Sequence, residues 1–166
     1  MSEKLPRREF AVTRDFDAPL EQVWRAWIDP EWLKQWWGPQ GYTCPLACID
    51  FRQGGISLLC MRSLQESGGQ DLFNTWIYRK IVPLERIEYI LNFTDKNGDK
   101  IDPATLGMPA GVPPDVYNVN LFEDLGDGRT KVTILEFGYT SDQAVDLYKA
   151  GLEQCLNKLA AIFAKT

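Results

Sequence analysis

Four cysteines, one carboxylate among apolar strand residues and a complete lack of histidine set the chemistry open to this chain. Without imidazole there is no Ser-His or Cys-His nucleophile pair, no histidine metal ligand and no ordinary general base near neutral pH. Acid–base work would fall to carboxylates, lysine, tyrosine or cysteine. The best-placed carboxylate is Glu136, which alternates with Leu135 and Phe137 near the end of a predicted strand. Arg14 shares the parity of Phe10, Val12 and Phe16 and would partner Glu136 if the first and last strands paired. Such a pair reads as a structural salt bridge before it reads as catalytic, and no catalytic residue is assigned.

The cysteines are Cys44, Cys48, Cys60 and Cys155. Cys44 and Cys48 have a spacing that zinc tolerates, but no second pair or histidine follows, so no metal is expected. Cys60 falls in a strand pattern and Cys155 on the apolar stripe of a helix, where free thiols are buried. All four are read as reduced thiols, in keeping with a cytoplasmic chain. The other conspicuous feature is aromatic: six Trp, six Tyr and eight Phe in 166 residues. That loading either fills a core or lines a cavity for an apolar ligand.

The bulk properties narrow the class. With 45% hydrophobic and 25% charged residues the composition is globular, and the length suits one domain over residues 1–166. The net charge of −5 argues against a nucleic-acid partner. No apolar run approaches a membrane span, and Met1–Arg8 is too polar for a signal peptide.

The elements that must position these groups follow from periodicity. Alternation predicts a first strand over Arg8–Phe16. Pro19 and Asp29-Pro30 then open two short helices, the second ending at Trp37-Gly38-Pro39. Six strands are predicted at Leu46–Arg52, Ile56–Ser63, Leu72–Ile81, Arg86–Phe93, Val116–Phe122 and Lys131–Phe137, separated by Gly- and Pro-bearing turns. Between Asn97 and Asp115 the four prolines and three glycines predict a long loop. A last helix begins at Thr140-Ser141-Asp142-Gln143, read as a capping box on Thr140. Its stripe is Tyr148, Leu152, Cys155, Leu159 and Ile162, widened by Val145, Leu156 and Phe163. Gly151 interrupts it at a cost of about 1 kcal/mol relative to Ala. The expected architecture is α+β: a curved, seven-stranded antiparallel sheet wrapped on the long C-terminal helix.

Five segments resemble, in order, the signatures of one family. They are Phe16–Trp24, Trp36-Trp37-Gly38-Pro39, Asp50-Phe51-Arg52-Gln53-Gly54-Gly55, Ile81–Ile87, and Gly151 with Leu156-Asn157-Lys158-Leu159. The family takes its name from the activator of the ninety-kilodalton heat-shock chaperone ATPase, and lies in the START-like, helix-grip superfamily (SRPBCC). The resemblance covers nearly the whole chain and implies the helix-grip fold, with a cavity between sheet and helix. At Leu152 the family often has tryptophan, and at Trp76 it often has glycine, so the shape of that cavity would differ here.

Three functions follow as expectations. The first is binding of a small apolar, lipid-like or aromatic molecule, with Trp37, Met61, Trp76, Tyr78, Tyr89, Gly151, Leu152 and Cys155 lining the site and a fully packed core as the competing reading. The second, implied by the resemblance alone, is an interaction with the chaperone ATPase. The third is a cyclase- or hydrolase-type enzyme of the superfamily. No cofactor is expected, and the protein would be a monomer or homodimer.

Overall fold

A computed structural model describes residues 8–164. The polar stretch read against a signal peptide therefore lies, but for Arg8, outside the described residues. In chain order the elements are β1 (Arg8–Phe16), α1 (Leu20–Ile28), α2 (Pro30–Trp36), β2 (Tyr42–Cys48), β3 (Ile56–Ser63), β4 (Asp71–Val82), β5 (Arg86–Thr94), β6 (Asp115–Gly126), β7 (Arg129–Tyr139) and α3 (Asp142–Ala164). Every strand joins one antiparallel sheet in the order β1-β7-β6-β5-β4-β3-β2. The sheet curls into a half-barrel against α3. Among the described residues, no helix is long and apolar enough to cross a membrane.

Alternation decides which side of each strand faces α3. On β1 the buried residues are Phe10, Val12 and Phe16. Arg14 holds the fourth position of that face, and its guanidinium reaches Asn157 Oδ1 on α3. On β6 the inward set is Val116, Asn118, Asn120 and Phe122, all buried. Two amides thus replace two apolar side chains on a face that is otherwise core. The short helices close one end. Asp29 caps α2 by accepting from Glu31 N at 2.9 Å, and Trp36 is fully buried with its indole N–H donating to Ala26 O at 2.9 Å. Trp24 and Trp27 from α1 pack edge-on against Phe122.

Several boundaries differ from the periodic reading. Pro19 is the residue before α1 rather than its first residue. β2 runs over Tyr42–Cys48, not Leu46–Arg52, and its pairing with β3 slips between Thr43 and Leu46, around Pro45. Proline has no N–H for the ladder, and an edge strand carries it at an irregularity. Asp50 and Arg52 consequently sit in the following turn and pair with each other at 3.0 Å. That turn needs Gly55: a Cβ there would lie 2.3 Å from Asp50 O.

The segment between β5 and β6 is tied down at several points. Asp102 caps a 3₁₀ turn at Pro103–Leu106, and Leu106, Met108 and Val112 pack on the core. The cap of α3 is Ser141, not Thr140. Its Oγ accepts from Ala144 N at 3.1 Å and donates to Ala110 O at 2.7 Å, while Thr140 N donates to Gly111 O. Gly111 allows this close crossing: its φ is +103°, and a Cβ would come within 2.3 Å of Ser141 Oγ.

Candidate functional site

The residues expected to line a site meet around Trp37-Gly38-Pro39. Trp37 presses its ring edge-on against Trp76 at 4.9 Å, and Trp76 stacks on Tyr89 at 4.5 Å and 16°. Tyr78 joins at 6.2 Å from Tyr89 and shares a 2.9 Å hydrogen bond with Ser57 Oγ. Burial pushes the Tyr78 hydroxyl up to about 12. The register explains the grouping, since Trp76 faces Leu91 and Tyr78 faces Tyr89 across β4 and β5. Gly38 brings Met61 and Cys155 to the same end: its own Cβ would meet Met61 Cγ, and its backbone lies near enough to the Cys155 thiol to favour the thiolate. Leu152 and Cys155 are buried on α3. Gly151 does not face Trp76 directly; its nearest neighbour is Pro39 Cβ, 3.9 Å from where a Cβ would stand.

Beside these aromatics lies a polar interior. Glu136 occupies the inward face of β7, with Phe10 opposite on β1 and Asn118 opposite on β6. Its Oε1 accepts a 2.6 Å hydrogen bond from Tyr139 Oη. The residue keeps some accessible surface, yet protein atoms surround its carboxyl densely enough to raise it from 4.5 to about 7 by desolvation. The anion in turn pushes Tyr139, Tyr148 and Tyr89 further up than burial alone would. The expected pairing of β1 with β7 is present, but Arg14 stands opposite Val132 and bonds to Asn157. The Arg14–Glu136 ion pair is therefore corrected to a Tyr139–Glu136 hydrogen bond.

Two buried polar groups here lack hydrogen-bond partners. Asn120 is wholly buried with neither Nδ2 nor Oδ1 satisfied, although its amide lies near enough to Tyr89 to favour the tyrosine's ionised form. The Trp37 indole N–H is likewise buried and unpaired. Native interiors pair such groups or hold water or ligand against them, because each orphan costs about 1–3 kcal/mol.

Lys158 closes the other side of the segment. Its Nζ donates to Gly38 O at 2.8 Å and to Tyr42 O at 3.1 Å, and desolvation lowers its pKa. The thiols of Cys44 and Cys155 sense its charge, but burial dominates and holds both at about 11. Inert thiols, not nucleophiles, result. All four cysteines are free. Among the described residues, no group of three or more Cys, Asp or Glu side chains is arranged to hold a metal ion.

Sequence patterning located the aromatic wall but missed Asn118, Asn120 and Tyr139. The signal for the asparagines was present, since they alternate with Val116 and Phe122 on one strand face.

A curled antiparallel sheet closed on a long C-terminal helix, with a partly polar interior, is the helix-grip class. Within it, the chain belongs to the family of Activator of Hsp90 ATPase homolog 1-like proteins, which matches residues 17–164. Among solved structures, a Chromobacterium violaceum protein is 26% identical, with a TM-score of 0.73 over 93% of this chain and 96% of its own. An Arthrobacter aurescens protein shares the fold at TM-score 0.77 and 22% identity, covering 95% of this chain and 87% of its own. The AHSA1 protein of Silicibacter pomeroyi does so at TM-score 0.75 and 19% identity, covering 95% and 98%. No curated protein matches the sequence.

Proposed function

We propose that the protein binds a small, largely apolar molecule between the concave face of the sheet and α3. The observation that carries this reading is the pair of unsatisfied buried groups, the Asn120 amide and the Trp37 indole N–H, set among Trp76, Tyr78, Tyr89 and Glu136. Buried polar groups take water or a ligand as partners, and ligand pockets combine apolar walls with a few convergent polar groups. Met61, Gly151, Leu152 and Cys155 complete the lining in this reading, Gly151 through its contact with Pro39.

Native mass spectrometry of freshly purified protein should reveal a retained small molecule. In parallel, quenching of tryptophan fluorescence by an apolar naphthalene probe should report binding, and Leu152→Trp should weaken that probe by filling space between α3 and the sheet. Unchanged affinity in a folded Leu152→Trp variant would place the pocket elsewhere.

A further inference from the structure

Which chemistry the interior recognises can be argued from what surrounds Glu136. From β7 Tyr139 donates to it; from β1 Phe10 and from β6 Asn118 stand directly opposite; from β5 Tyr89, and from α3 Tyr148 and Cys155, lie close enough to feel its charge. None of these is a cation. Three basic residues of β1 and α3 are committed elsewhere, Arg8 to Asp142, Arg14 to Asn157 and Lys158 to the Gly38 and Tyr42 carbonyls. Tyr139 supplies one hydrogen bond to a group able to accept about four. The remaining acceptor capacity is joined by the unpaired Oδ1 of wholly buried Asn120. The face of an aromatic ring attracts a cation, so a site walled by aromatic rings suits an organic cation better than a neutral guest.

We propose that the molecule bound in the grip carries a protonated nitrogen that pairs with the Glu136 carboxylate, its apolar body lying among the surrounding aromatic rings. This rests on the ligand-binding reading above and specifies the ligand class as a lipophilic amine. Glu136 is then a binding residue absent from the aromatic set, and Tyr139 positions it. The pairing has a pH signature. An amine of ordinary basicity stays protonated across the neutral range, while the empty-site carboxyl changes charge near pH 7. Amine affinity therefore rises with pH as the carboxyl ionises, and a neutral isostere shows no such rise.

The test compares 1-naphthylmethylamine with 1-naphthalenemethanol on the full chain, by calorimetry or tryptophan quenching, at pH 6 and pH 8. The amine should bind about tenfold or more tightly than the alcohol at pH 8, as charge-assisted hydrogen bonds require. That advantage should shrink at pH 6. Glu136→Gln should abolish the advantage of the amine over the alcohol. The pH comparison uses the unmodified chain, so it stands whether or not the variant folds. Equal binding of both probes at both pH values overturns the amine proposal and leaves the ligand-binding reading intact. Absence of binding by either probe overturns both.

Discussion

Glu136→Gln should stabilise the protein, and by an amount that depends on pH. The carboxyl rises from 4.5 unfolded to about 7 folded, chiefly through desolvation. At about 1.4 kcal/mol per pKa unit, a shift of about 2.5 units comes to about 3 kcal/mol. The sign follows from proton binding. Between pH 4.5 and about 7 the folded state holds a proton that the unfolded chain has released, so folding stability falls as pH rises through that window. Glutamine carries no charge at any pH and still offers an oxygen to Tyr139 Oη. The variant should match wild type near pH 4.5 and exceed it by about 3 kcal/mol at pH 8. Carboxylates stabilised elsewhere, such as Glu88 with Tyr117 and Arg86, titrate in both proteins and cancel in the difference. Urea unfolding followed by tryptophan fluorescence, at three pH values and with equal m-values, measures it. A difference that stays constant with pH, or a variant less stable at pH 8, would refute the assignment of an uncompensated buried carboxyl.

Other outcomes follow from single contacts. Gly151→Ala should raise stability by about 0.5–1 kcal/mol, because the added methyl meets only Pro39 Cβ at an ordinary 3.9 Å and the helix gains propensity; a drop in melting temperature would mean closer packing than that. Ser141→Ala should cost about 1–2 kcal/mol, since one hydroxyl both caps α3 and holds the Ala110 carbonyl; an unchanged urea midpoint would sink that claim. Thiol titration should count one fast cysteine in the native protein, exposed Cys48, and four in denaturant. Two in denaturant without reductant would reveal a disulfide.

The sheet and its closing helix were legible because their signals are periodic and local. The Leu152-Cys155-Leu159 stripe and the alternation on β1 stand out without any knowledge of neighbours. β2 was misplaced because Pro45 suppresses a strand reading, while the irregularity that accommodates it is set by pairing with β3. The aromatic wall was half legible: residue types marked it, but only register puts Trp76 on Tyr89. The partner of Glu136 was hidden by a geometric shift. Strict alternation would send Tyr139 outward with Phe137. Gly138 at φ +111° and the register slip at Arg8/Glu9 turn it inward instead, where it is fully buried beside Phe10.

The pairing of β1 with β7 has a consequence for how the protein is made. Thr13 meets Thr133 across that seam, 120 residues later in the chain. While the ribosome is still producing the intervening hairpins, β1 has emerged but has no ladder partner. α3, which must cover Phe10, Val12 and Phe16, comes later still. Completion of this core therefore waits for the last elements in chain order and is dominated by slow, non-local contacts. Until β7 and α3 have been made, the nascent chain carries β1 without its partners, the period in which a holding chaperone has most to protect.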